Sequence, residues 1–148
     1  MIVEAEVALK EWAVVCDALR RGRQGLLLRK GGIREANADR SFRAEHRAFV
    51  LLPTYFHARD GGRERDLLPE VHDRLAALRE GLAGQLQFEL YAEVTAQWEV
   101  RELAPLRELA GQHVLSEECV TDRFHYRRPG LWALHLRVHR LRRPVVQP

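Results

Sequence analysis

From Gln85 to Val100 the chain alternates without a break between apolar and polar side chains. Leu86, Phe88, Leu90, Ala92 and Val94 fall on one side of the run, and Gln87, Glu89, Tyr91, Glu93 and Thr95 on the other. A period of two is the mark of a half-buried β-strand, because successive side chains leave opposite faces. So long a strand needs hydrogen-bonding neighbours and a layer to cover its apolar face, which commits the chain to a sheet with helices or a second sheet packed on it. A second run, from about Leu131 to Leu141, sets Trp132, Leu134, Leu136 and Val138 against His135, Arg137 and His139. That basic row either forms one positive surface with the arginines at 123–128 or, if the two strands are neighbours, meets Glu89 and Glu93 in cross-strand ion pairs.

Shorter signals fill in the remaining elements. Gln24 to Lys30 is apolar and bounded by glycines, and Arg47 to Phe56 is a strand whose Pro53 belongs at an edge or a bulge. Ala5, Ala8, Leu9, Trp12, Val15, Cys16 and Leu19 recur at helical spacing, with Lys10 opposite that stripe, and Arg20 to Gly22 ends the helix. A second helix carries Pro69 near its first turn and the stripe Leu68, Val71, Leu75, Leu78 and Leu82. Pro105 to Ala110 reads as a short helical piece. Ser116 to Tyr126 reads as a helix capped by Ser116, with Glu117 and Glu118 in its first turn. The order α-β-β-α-β-α-β predicts a single compact α+β domain over residues 1–148. Its mixed or antiparallel sheet is flanked by two main helices, in a PUA-like or similar arrangement.

Charge is distributed unevenly over this frame. No acid follows Asp122, while Arg123, Arg127, Arg128, Arg137, Arg140, Arg142 and Arg143 all lie beyond it. That end carries +7; the formal total is +3, so the first 122 residues carry −4. A basic end on an acidic body points to an anionic partner, with nucleic acid the usual candidate. Arginine codon preference accounts for part of the pattern, since only Lys10 and Lys30 stand beside 22 arginines. The sequence has no apolar run of membrane-spanning length, and its first residues have neither a basic stretch nor a signal-peptide core. Cys16 lies on an apolar face and Cys119 among acids, so both read as free thiols. The expectation is a cytoplasmic protein with no membrane partner.

The sharpest local motif is Leu27-Leu28-Arg29-Lys30-Gly31-Gly32-Ile33-Arg34-Glu35. Glycines after a strand permit close approach of a ligand to the backbone, and Arg29 and Lys30 supply anion donors. The spacing is neither that of a P-loop nor that of a dinucleotide fingerprint. Pro53-Thr54-Tyr55-Phe56-His57 puts three hydrogen-bonding side chains at a strand end. Arg123-Phe124-His125-Tyr126-Arg127-Arg128 interleaves basic and aromatic side chains, a mixture that neutralises phosphate and stacks nucleobases. The seven histidines lack zinc-ligand spacing. Glu-x-Lys of the PD-(D/E)xK nucleases and the Gly-x-Ser-x-Gly elbow are also absent. No metal site is expected, and no cofactor can be named.

Ala8-Leu9-Lys10-Glu11-Trp12-Ala13-Val14, the run 27–35, and Pro53-Thr54-Tyr55 with His57 together resemble the bacterial family known as domain of unknown function 1802. His113, Glu118, Val120, Arg123 and Leu136-Arg137-Val138 extend the resemblance over nearly the whole chain. It implies membership and singles out Lys10, Glu11, Arg29, Lys30, Glu35, His57, Glu118 and Arg123 as the polar motif residues.

The first functional expectation is a domain that binds nucleic acid or another polyanion. Lys10, Arg29, Lys30, Arg123, Arg127 and Arg137 contact anion, Tyr55 and Tyr126 stack, and Glu11 and Glu118 support them. The second is a small hydrolase or nuclease-like enzyme acting on a phosphorylated or nucleotide substrate, with Glu35 and His57 as acid and base. A module whose basic end docks an acidic partner is the third. Oligomeric state is left open.

Overall fold

A computed structural model describes residues 7–30, 47–54, 64–80 and 86–147. The chain runs β1 (Ala8–Trp12), α1 (Ala13–Arg20), β2 (Leu26–Arg29), β3 (Ala48–Thr54), α2 (His72–Glu80), β4 (Leu86–Val100), α3 (Leu103–Glu108), α4 (Glu117–His125) and β5 (Leu131–Gln147). Single 3-10 turns lie at Glu64–Asp66 and Pro69–Val71. The five strands make one sheet in the order β1-β3-β4-β5-β2. The β1–β3 pairing is parallel and the others are antiparallel. The fold is therefore α+β with a mixed sheet.

β4 and β5 pair from Leu86↔Gln147 to Val100↔Leu131, with two breaks in register. At the first, Thr95 is an extra residue on β4. At the second, Phe88↔Val145 and Leu90↔Arg140 leave Glu89 facing the four residues 141–144 of β5. The last strand thus runs past Leu141, where the arginines and Pro144 suggest an end. The chain leaves the ladder for four residues and rejoins it at Val145. Across these strands His139 Nε2 lies 2.7 Å from Glu93 Oε1, a hydrogen-bonded contact between the basic row and one of the two expected acids. His135 instead meets the Thr95 hydroxyl at 2.7 Å.

The first helix begins later than its apolar spacing suggests. Residues 8–12 form an edge strand in parallel register with β3, from Ala8↔Val50 to Trp12↔Thr54. Leu9 and Glu11 turn inward while Ala8 and Lys10 face solvent. The helix then starts at Ala13 and buries every residue to Leu19. Pairing with a strand forty residues away overrides the local helical pattern, since Leu9 packs inward in either conformation. Pro53 sits opposite Glu11, beyond the Ala48–Val50 stretch of β3 that pairs with β4, so its missing N–H interrupts neither ladder there.

The core lies between the inward faces of the rolled sheet and the helices. Leu9, Val14, Leu27, Phe49, Leu51, Leu75, Leu106, Val114, Leu131 and Leu134 are its fully buried members. The expected cap of α4 is present: Ser116 Oγ accepts the Cys119 N–H at 3.1 Å. A buried carboxylate ties α1 to α2. Asp17 accepts from Arg74 Nε and Nη2 at 3.0 and 2.9 Å, from Arg20 at 2.8 Å and from Arg21 at 2.9 Å.

β1 and β2 are the two edges of the sheet, yet Arg29 at the end of β2 donates from Nη1 to the Lys10 carbonyl of β1 at 3.1 Å. The sheet is therefore rolled until its edges nearly meet, and one arginine bridges the gap.

Candidate anion-binding cleft at the sheet seam

The seam opens into a cleft of about 300 Å³ lined by Lys10, Glu11, Trp12, Arg29, Lys30, Thr54 and Arg123. Each wall comes from a different part of the sequence. β1 brings Lys10, Glu11 and Trp12, β2 ends at Arg29 and Lys30, β3 ends at Thr54, and the last turn of α4 supplies Arg123. Among the described residues four cationic side chains face one carboxylate, which gives the cleft a net positive potential in partly desolvated surroundings.

Glu11 organises the floor. It is 6% exposed at a position where the alternation of β1 calls for an apolar side chain. Its Oε1 accepts the Trp12 N–H at 2.8 Å and its Oε2 lies 3.5 Å from Arg29 Nη1. Its carbonyl accepts from the Thr54 hydroxyl at 3.2 Å.

Arg123 roofs the cleft. Its Nη1 donates to the Leu28 carbonyl at 3.1 Å, and its guanidinium lies 4.5 Å from the centre of the Trp12 ring, a cation–π contact. Lys30 has another task. Its ammonium donates to the carbonyls of Phe124 at 2.6 Å, of Gly130 at 2.9 Å, and of Arg128. A lysine has three donors, and these contacts use all of them. Burial, with the charge of Arg128 behind it, lowers its pKa from the ordinary 10.5. The clamp fixes the turn after α4, in which Arg127 takes a left-handed φ of 64° and Gly130 one of 136°. Tyr126 in that turn is 57% exposed, and the Arg127 guanidinium lies 5.2 Å from its ring centre.

Lys10 differs from the other cations. It is exposed, and among the described residues its ammonium has no hydrogen-bond or ion-pair partner. It is the cleft cation available to a ligand without breaking an internal contact.

The structure thus joins Lys10, Glu11, Arg29, Lys30 and Arg123 in one place. Glu118 points elsewhere, pairing with Arg65 at 3.0 Å on the surface. Arg137 stands exposed on β5, across from Glu93. Glu35, Tyr55 and His57 lie outside the described residues, as does the Gly31-Gly32 turn. The spacing of Trp12 suits a helical core stripe; the residue, half-buried at the end of β1, packs against the core and also lines the cleft wall. Its signal was the adjacent Glu11, a charge on the inward face of a short strand. Cys119 is buried, and burial first, with lesser help from Asp66 and Asp122, pushes its thiol up to about 11. Neither it nor Cys16, raised chiefly by burial, is poised as a nucleophile. His113 is buried and accepts the Leu115 N–H on Nδ1, and burial, then Arg23 and Arg123, lowers its pKa. Among the described residues no helix is long and apolar enough to cross a membrane.

Among solved structures, a mutant of the ZmASCH protein from Zymomonas mobilis is similar in fold. The TM-score is 0.52 at 16% identity, covering 93% of this chain and 71% of that one. No curated protein matches the chain. The family model described as domain of unknown function (DUF1802) matches residues 8–148, a span that includes every wall of the cleft, and the chain belongs to that family.

Proposed function

We propose that this domain binds nucleic acid, taking phosphate in the seam cleft. The observation that carries this reading is the convergence of Lys10, Arg29, Lys30 and Arg123, from elements distant in sequence, on one cleft with a single carboxylate among the described residues. Lys10 is the direct phosphate contact. Arg29 and Arg123 supply field and shape, and Lys30 holds the neighbouring turn so that Tyr126 offers an aromatic face to a base. Arg127 and Arg137 extend the positive surface outside the cleft. A PUA-like description of the rolled sheet and a cytoplasmic setting, consistent with two free thiols, belong to the same reading.

A second reading, a small enzyme acting on a phosphorylated or nucleotide substrate, draws support from the buried Glu11 inside a cationic cleft. Both Glu11 oxygens already serve Trp12 and Arg29, which suits positioning better than proton transfer. Binding is therefore preferred.

The test is a salt titration of labelled single-stranded RNA and DNA binding to the wild-type domain and to Lys10→Glu. The expected affinity is on the order of micromolar at low salt, falling steeply with salt. Lys10→Glu weakens it at least about tenfold, as expected when a phosphate contact becomes a repulsion. Absent binding at low salt, or an unaffected Lys10→Glu, rejects the proposal. Turnover of a nucleotide or phosphoester that is lost in Glu11→Gln moves the assignment to the enzyme.

A further inference from the structure

We infer that the four-residue excursion of β5 opposite Glu89 is a second nucleic-acid contact, and that its separation from the cleft selects a stacked single strand of about nine nucleotides or more as the partner. This rests on the nucleic-acid reading of the cleft.

Bulges re-aim side chains away from the ladder. Here residues 141–144 face one residue of β4, so Arg142 and Arg143 sit on backbone released from regular pairing, with Arg140 at its base. All three are exposed. Among the described residues none of them, nor Arg137, has an ion-pair or hydrogen-bond partner. The β4 acids facing this stretch are Glu89 and Glu93, and Glu93 is engaged by His139. Positive charge is therefore in local surplus and uncommitted. Because the three side chains are exposed rather than gathered into a cavity, they suit a ladder of phosphates better than a small phosphorylated molecule.

The distance follows from the strand. Trp132 of β5 pairs with Arg29 at the cleft and with Glu99 of β4, while Glu89 faces the excursion. At about 3.3 Å per strand residue, the run from Glu99 to Glu89, less the residue taken up at Thr95, spans about 30 Å. A stacked strand rising about 3.4 Å per nucleotide covers that gap with about nine nucleotides. The cleft, at about 300 Å³, is at the small end of ligand pockets and suits one nucleotide unit, not a duplex. A strand held at both ends gains through effective concentration, and a shorter one reaches only by giving up its stacking.

The experiment uses the full chain with unstructured single-stranded oligonucleotides of about 4 to about 20 nucleotides. The wild-type domain shows a step in affinity near nine nucleotides. Replacing Arg140, Arg142 and Arg143 together by Gln removes the step, lowers the salt slope for long oligonucleotides by about two, and leaves short ones unchanged. Affinity that rises smoothly or not at all with length overturns the inference, and the wild-type series alone decides this. Equal losses for short and long strands also overturn it. So does binding to phosphatidylserine vesicles as tight as to the long strand. Absent binding at every length counts against the cleft reading itself, whereas binding indifferent to length counts only against the second contact.

Discussion

Lys30 and Lys10 are the two lysines of the chain, and the structure gives them opposite work. Lys30 reaches residues about a hundred positions away and commits its donors to the carbonyls of Phe124, Arg128 and Gly130. A cation at these carbonyls, one of them at the end of α4, sits where the helix dipole favours it. Its neighbours in sequence, Arg29 and two glycines, suggested an anion ligand, and nothing local could reveal that its partners lie at Phe124 and beyond. The consequence is measurable. Lys30→Met costs stability, about 2 kcal/mol for charged hydrogen bonds to carbonyls lost from a half-buried site, seen as a lower denaturant midpoint. The salt slope of nucleic-acid binding stays unchanged, because no phosphate contact is removed. Lys10→Met does the reverse: stability holds and the slope falls by about 0.7 for one lost single-strand contact. If Lys30→Met reduces the slope as Lys10→Met does, the clamp assignment fails.

At the scale of elements, the long strands were legible because β4 alternates through its whole length, and α4 was legible from its Ser116 cap. β1 was not. Its five residues carry Leu9 and Trp12 three apart, a helical spacing that in a strand puts them on opposite faces, and its partner β3 lies far along the chain. The polar network joining α1 to α2 was likewise hidden, since Asp17 in a helix does not announce that Arg74 will meet it. Burial opposes ionisation of this carboxylate, but the guanidiniums of Arg74, Arg20 and Arg21 outweigh burial and hold its pKa well below the ordinary 3.8. A depressed carboxylate pKa contributes stability that is complete above the unfolded value and is lost as pH falls through the folded one. Asp17→Asn should therefore cost about 3 kcal/mol at neutral pH, the low end of the range for breaking a buried pair because the arginines keep partial access to water. The difference from wild type should shrink steadily below about pH 4. Unfolding midpoints measured against pH decide it: a penalty that stays constant down to about pH 2 means the charge is not what joins the helices.

The whole molecule is a sheet rolled until its edge strands face each other across a cleft, and that closure made the candidate site. All seven described lining residues stood in sequence motifs, and five of them, Lys10, Glu11, Arg29, Lys30 and Arg123, were singled out as polar motif positions. Sequence could not supply the closure that joins them, because no local pattern encodes the approach of β1 to β2. Arg29 is the bridge, donating to the Lys10 carbonyl and lying beside Glu11. With Arg29→Met the apolar stem remains and the donors go, so the β4–β5 ladder keeps its pairing while β1 loses its bridge to β2 and keeps β3, the core contact of Leu9 and the Arg123–Trp12 contact. Loss of about 2 kcal/mol of charge-assisted bonding would speed amide exchange in β1 about thirtyfold if those amides open locally. Exchange in β4 and β5, governed by longer pairing and by burial of Leu90, Ala92, Leu134 and Leu136, should change little. Nucleic-acid affinity should fall along with β1 protection, since Lys10 and Trp12 are carried on the strand that loosens. Uniform acceleration across all five strands would instead mean that the seam is part of the global cooperative unit, and that the cleft cannot open without unfolding the domain.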